Sequence, residues 1–395
     1  MSDLIECFLR RFHGAKGATY RTFSPYRICP IGAHVDHQYG LITGFAMDHG
    51  VELIYQATDT GEVQVFSEDF PGVARFSLLD PVPAKQGDWG DYLRGCVWAL
   101  SQGKKLWRGI RGVVRGSLPI GGLSSSAAVT LCYLQALMQV NDLYVGAQDA
   151  IELAFQVESG YVGVNVGKLD QSCEVLSRKD HLLFLDALDG QYELIPRRKN
   201  MPEFDIVVFY SGLSRRLGSG FNNRVDELKA ASWFLKGLSG MELGALADSR
   251  LRDVPPEVFE RYEGELPEPF RRRARHYYAE CERVKRGVAA WRAGDIEAFG
   301  ELVFESGESS IVNYETGSPE LIALYRAMRE APGIYGGRFS GAGFRGCCAA
   351  LVDPTKREPA IEFVTERYLR QFPNLRGAYS THVCKTEDGV GVQPK

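Results

Sequence analysis

A chain of 395 residues with 45% hydrophobic and 24% charged residues is long enough for two domains with real cores and ordinary for a globular enzyme. A net charge of −4 argues against nucleic-acid binding by the chain as a whole, and no apolar run reaches the length of a membrane span. Nine scattered cysteines without a CxxC pair make neither a disulfide framework nor a zinc site, so reduced thiols in a cytoplasmic protein without a signal peptide are the expectation.

Residues 1–14 carry a helical pattern (Leu4, Ile5, Phe8, Leu9, Phe12), and 18–29 read as a strand. That strand runs into a polar stretch in which His34, Asp36 and His37 lie within four residues. Taken alone, these residues leave three readings open: metal ligands, a ligand-binding loop with Arg27 on a phosphate and Asp36 on hydroxyls, or a surface turn. A strand at 42–47 follows, and 51–57, 63–67 and 74–79 alternate like strands of a meander. A helix opens near Asp88-Trp89-Gly90-Asp91 and runs to about Gln102.

The centre of the chain is the stretch from Gly116 to Ala128. A strand at 112–115 leads into it, and a helical face of Ala127, Leu131, Leu134 and Met138 leaves it. Between them stand Pro119, Gly121, Gly122, Leu123, Ser124, Ser125 and Ser126. Glycines allow close backbone approach, and a helix start supplies unpaired N–H donors and the positive end of a dipole. Together they can cradle phosphate; a serine-capped glycine turn is the plainer alternative. No lysine follows the glycines, so this is not a Walker A loop.

Further on, 147–157 read as a helix ending near Glu158, and a glycine-rich turn containing Gly167 delivers Asp170 to the start of another helical stretch. A helix N-cap is the plain explanation of that aspartate. Residues 181–187 and 192–195 form a hairpin pattern. The pattern changes near 196–202, which divides the chain into domains 1–197 and 198–395. A strand at 205–210 and a polar loop with Arg215 and Arg216 are followed by helices near 224–237, 267–291, 294–308, 318–331 and 358–370. The basic run Arg271-Arg272-Arg273-Ala274-Arg275 reads as a solvated helix face. A second glycine loop, Gly336 to Gly346, feeds a strand, and a strand at 378–384 closes the chain.

An Arg/His/Asp loop, a PxxGLSSSAA loop and a late GxGF loop in this order resemble the GHMP kinase superfamily, and within it the galactokinase-like branch. The resemblance covers most of the chain, including Trp89–Tyr92, Val162–Ser172 and Tyr314–Leu321. It implies an α+β, two-domain fold: a ribosomal-protein-S5-like N-terminal domain and a ferredoxin-like C-terminal domain, with the active site in the cleft between them. By the same resemblance Trp89, Pro119, Gly121 to Ser126, Gly341 and Gly343 would surround ATP, and Ser125 or Ser126 with Glu158 would hold Mg²⁺. Ala33, His34, Asp36, His37, Gly167, Asp170 and Phe221 would line the sugar. Asp170 and Arg27 would be catalytic, in transfer of the γ-phosphoryl group to the anomeric hydroxyl. The partners implied are ATP and one small sugar, with no nucleic acid or membrane, and a monomer is the expectation.

The stretch departs from galactokinases: PYRICPIGAHVDH stands where they read PGRVNLIGEHTDY, and two of the differences bear on the sugar. Ala33 replaces the glutamate that the resemblance places at the sugar 6-hydroxyl, and His37 replaces a tyrosine. Losing that acceptor would cost a neutral sugar about 1–3 kcal/mol. A uronate facing a glutamate at about 4 Å would instead suffer roughly 4 kcal/mol of repulsion at an effective dielectric near 20. Alanine therefore favours a uronate, galacturonate or glucuronate, over a neutral hexose; the wording of this stretch also resembles galacturonokinases, which implies D-galacturonate rather than D-galactose as the sugar. The carboxylate would need donors, for which His34, His37, Tyr39, backbone N–H groups, Arg215 and Arg216 are candidates; for each arginine, surface solubility is the favoured reading. Galactose or another neutral sugar, a non-catalytic sugar and ATP sensor on the same fold, and a metal hydrolase using His34, Asp36 and His37 are the alternatives, in that order.

Overall fold

The computed structural model describes residues 3–14, 17–164, 166–213 and 220–390, with backbone alone at 220–221. The first half contains α1 (Asp3–Arg11), β1 (Tyr20–Ile28), β2 (Leu41–Thr58), β3 (Glu62–Ser67), β4 (Val73–Ser77), α2 (Asp91–Ser101), β5 (Gly109–Gly116), α3 (Ser125–Val140), α4 (Ala147–Phe155), α5 (Leu169–Leu176), β6 (His181–Asp186) and β7 (Tyr192–Pro196). The second contains β8 (Asp205–Tyr210), α6 (Gly220–Leu238), α7 (Pro256–Tyr262), α8 (Glu268–Ala293), α9 (Ile296–Val312), α10 (Pro319–Glu330), β9 (Ile334–Phe339), β10 (Cys347–Val352), α11 (Arg357–Gln371), β11 (Ser380–Cys384) and β12 (Thr386–Glu387).

Strand β2 organises the first sheet. Its start pairs with β6, its end with β5, and β1 lies antiparallel along most of it. The two strand patterns at 42–47 and 51–57 are thus one continuous strand. The sheet order is β4-β3-β5-β2-β6-β7, and β3 pairs with β5 in parallel. The expected meander is therefore corrected: α2 lies between β4 and β5 in the chain, so β5 inserts between β3 and β2. Helix α3 is buried around most of its circumference, as its nearly unbroken apolar sequence requires. It packs on β1, β2 and β5, which presents its N-terminus to the end of β1.

The second sheet, β11-β8-β10-β9, is antiparallel. The chain passes from the first sheet to the second between Pro196 and Asp205. Its tail then crosses back, where Thr386 and Glu387 pair with Met47 and Ala46 of β2. One apolar core spans both halves, joining Tyr26, Phe45 and Leu134 to Leu228, Val284 and Trp291; a second lies under α10 and α11. Among the described residues no helix is long and apolar enough to cross a membrane.

The basic run on α8 is not a uniformly solvated face. Arg273 is 1% exposed and joins Glu227 of α6 (2.6 Å) to Glu315 (2.5 Å). Its neighbours Arg272 and Arg275 pair on the surface with Glu268 and Glu263. The periodicity places the helix, and only the packed partner decides which arginine is buried.

Candidate active site

Two loops and the first turn of a helix meet at one guanidinium at the end of a strand. Arg27, near the end of β1, is 4% exposed. Its Nε and Nη2 donate to Asp170 Oδ1 at 2.8 and 2.7 Å. Its Nη1 donates to the Gly122 carbonyl at 3.1 Å and to Ser340 Oγ at 3.3 Å. Its own N–H reaches the Leu123 carbonyl at 3.4 Å. Burial works against the arginine's charge, and the Asp170 carboxylate outweighs it, so the guanidinium stays protonated. Asp170 itself lies in the first turn of α5, behind Lys168 at the cap position, so it is an ion-pair partner and not an N-cap.

The two glycine loops interlock. A Cβ on Gly122 would lie 2.8 Å from the Ser340 carbonyl oxygen, and one on Gly346 would lie 2.6 Å from the Gly121 carbonyl carbon. Glycines occur here because backbone packs directly on backbone. Gly341 takes part in the same contact, whereas Gly343 is packed by Phe339 and Thr316. Ser124 holds a left-handed φ of 62° and starts α3, with its Oγ buried and without a hydrogen-bond partner. Ser125 and Ser126 form the first turn of that helix, where N–H groups lack intrahelical acceptors. This orphaned hydroxyl and exposed helix start fit a phosphate chain. Pro119 precedes the loop.

Asp36 and Gly167 meet as well. A side chain on Gly167 would overlap the Asp36 carboxylate, whose Oδ2 also accepts from the Leu169 N–H at 3.3 Å. Burial first, and then the nearby charge of Asp170, push the Asp36 carboxyl up to about 6 despite these backbone donors. His34 is buried in a left-handed backbone conformation and stacks on Tyr314 at 4.3 Å. Its Nε2 is buried without a partner. His37 Nε2 lies 3.4 Å from the Tyr314 hydroxyl. Burial, together with surrounding positive groups, holds His34 well below the usual histidine range and His37 down to about 3. Both rings are therefore neutral N–H donors, not cations. Ala33 is buried, and its peptide is held by α8.

Glu158 stands in a π-helical segment, Gln156–Val162, that prolongs α4. It is 3% exposed and accepts from the Gln171 side-chain amide, which follows Asp170 directly. Gln171 escaped the sequence reading, although its place beside Asp170 is a signal. Trp89 sits on a loop anchored by buried Asp91 and Arg94, and its Nε1 donates to the Pro71 carbonyl at 3.0 Å. The side chain of Phe221, with Arg215 and Arg216, lies outside the described residues.

Among the described residues one group of His, Cys, Asp and Glu has three donor atoms within 4.8 Å of one another: Asp48, His49 and Cys384 at the tail crossing. There Asp48 is already taken by the His49 ring and the Lys385 N–H, each at 2.9 Å. His34, Asp36 and His37 form no such group, which removes the basis of the metal-hydrolase reading.

The chain matches two family models, the GHMP kinases N terminal domain over residues 91–178 and GHMP kinases C terminal over 288–370. It is 39% identical to a galacturonokinase of Arabidopsis thaliana, covering 95% of this chain and 94% of the relative. It is 33% identical to a galactokinase of Pyrococcus furiosus, covering 93% and 98%. The crystal structure of Lactococcus lactis galactokinase complexed with galactose superimposes with a TM-score of 0.88 at 29% identity, covering 97% of each chain.

Proposed function

The chain belongs to the GHMP kinase family, and from that premise we propose that it phosphorylates the anomeric hydroxyl of D-galacturonate. It is a sugar 1-kinase: an alcohol-acceptor phosphotransferase that uses ATP as donor. The choice of sugar rests on one observation. Position 33, on the loop beside Asp36 and His34, carries a methyl group, where the resemblance to galactokinases places a carboxylate. Removing that charge relieves roughly 4 kcal/mol of repulsion against a uronate and forfeits about 1–3 kcal/mol for a neutral hexose. The relative at 39% identity, whose name states this activity, supports the same choice.

In this reading Asp36 receives sugar hydroxyls, and the neutral His34 ring offers Nε2 as a donor. Asp170 orients the anomeric hydroxyl and accepts its proton as the oxygen attacks the γ-phosphorus. Arg27, held by Asp170 and by both glycine loops, stabilises charge on the attacking oxygen and the transferred group. The N-terminus of α3 with Gly121 to Ser126 holds the phosphates in line. Glu158 with the hydroxyl of Ser125 or Ser126 would hold Mg²⁺, which neutralises phosphate charge. The ion pair of Arg27 and Asp170 supports catalysis over a sensor that only binds.

The test is ADP release with ATP and Mg²⁺ against galacturonate, glucuronate, galactose, arabinose and no sugar. Turnover chiefly with galacturonate is the expected result. Turnover chiefly with galactose would keep the kinase and discard the selection at position 33. ATP binding without turnover on any sugar would leave a sensor.

A further inference from the structure

We propose that His276 and Glu280 of α8 clamp the backbone on both sides of Ala33 and so position the sugar loop without using its side chain at 33. The proposal rests on reading 31–39 as the loop that holds the sugar, and not on which sugar it holds.

The two residues are one helical turn apart, so they share one face of α8. Glu280 is fully buried, and its Oε1 accepts from the Gly32 N–H at 2.8 Å and the Ala33 N–H at 3.3 Å. His276, also fully buried, lies with Nε2 3.0 Å from the Ala33 carbonyl and Nδ1 3.0 Å from Ser309 Oγ. A carbonyl only accepts, so Nε2 carries the proton and Nδ1 accepts from Ser309. Both peptide groups of residue 33 are thus held from α8, some 240 residues away in the chain.

Each clamp residue is itself fixed. Ser306 donates to Glu280 Oε1, Arg283 pairs with Oε2, and the Arg338 guanidinium lies 3.6 Å from Oε1. Arg338 belongs to β9, which runs directly into Ser340, the partner of Arg27. The loop needs such support. His34 and Tyr39 hold φ of 64° and 59°, a left-handed conformation that non-glycine residues keep only where their surroundings over-determine it. Because the clamp grips peptide groups, the loop keeps its place whatever side chain stands at 33. That leaves position 33 free to select the substrate, while His276 and Glu280 act as positioning residues.

The test compares steady-state kinetics of His276→Leu and His276→Gln with those of the wild type. Leucine cannot donate to the Ala33 carbonyl, whereas the glutamine amide can. His276→Leu is expected to raise the sugar KM about tenfold, leave the ATP KM within about twofold, and be rescued by His276→Gln to within about threefold. Sugar and ATP parameters that worsen together, an unmoved sugar KM, or failure of glutamine to rescue would overturn the clamp. If His276→Leu does not fold, Ser309→Ala replaces it, with a sugar KM about threefold higher expected and an unmoved one refuting the clamp. Asp36→Asn, on the loop itself, separates the two layers. If it raises the sugar KM and the clamp variants do not, the clamp fails and the loop reading stands. If none of them moves it, the loop reading fails and the clamp falls with it.

Discussion

Asp170→Asn tests the junction at the centre of the site. The change preserves shape and removes one charge. Arg27 is 4% exposed and directs two of its N–H groups, at 2.7 and 2.8 Å, to Asp170 Oδ1. Breaking a fully buried ion pair costs about 3–5 kcal/mol. Asp170 keeps 26% of its side chain in solvent, and asparagine still accepts one bond, so about 2 kcal/mol is expected here. At roughly 2 °C per kcal/mol for a large domain, the unfolding midpoint drops by about 4 °C. Turnover is expected to fall much further, by about 10²–10⁴, because the group proposed to accept the hydroxyl proton is gone. In the proposed arrangement ATP binding survives, since there the α3 N-terminus and the glycine loops hold the phosphates. Scanning calorimetry, ATP titration and ADP release read the three quantities separately. Turnover within tenfold of wild type would refute the role of Asp170, and loss of ATP binding would place Asp170 in the phosphate cradle instead.

Ala33→Glu is expected to lower the ratio of kcat/KM for galacturonate over galactose by at least about a hundredfold; an unmoved ratio removes position 33 as selector. In the proposed site the Asp36 carboxyl, pushed up to about 6 by burial and by Asp170, accepts sugar hydroxyls best when ionised. The sugar kcat/KM therefore falls as pH drops through about 6 with the ATP KM steady, and Asp36→Asn should abolish that limb. Glu174, one turn past Asp170, is fully buried with both carboxyl oxygens unbonded, and burial followed by the charge of Asp170 raises its proton affinity well above the usual carboxylate range. A raised folded-state value means the native state binds the proton more tightly, so stability is lost as pH climbs above the unfolded-state value of about 4.5. Glu174→Gln should gain little in unfolding midpoint at pH 5 and more at pH 8; an equal gain at both would show that Glu174 is not the titrating group.

Much of the site is legible because its parts are local. The helix after Ser124 follows from apolar periodicity, and the cradle follows from glycines before a helix start. Arg27, Asp36 and Asp170 stand out as polar residues in motifs, although Asp170 alone is indistinguishable from a cap. Gly336 and Gly337 read only as a loop, because glycine disfavours strands. They lie in β9 since Gly300 of α9 packs against Gly336, a contact no local pattern announces. His276 and Glu280 were invisible for the same reason, as an apolar-faced helix reads as core whichever polar residues its neighbours demand.

Sequence by itself determined most element types, the family and the candidate residues for the chemistry, since short-range periodicity and motif order record what each segment does alone. Tertiary structure decided which distant groups share a charge or a hydrogen bond. It joined Arg27 to Asp170, Gly122 and Ser340, set one glycine loop against the other, buried Arg273 among exposed neighbours, and carried the tail back to β2. Those pairings depend on burial and on distances of a few ångströms between residues in places more than three hundred positions apart, which the order of residues along the chain does not contain.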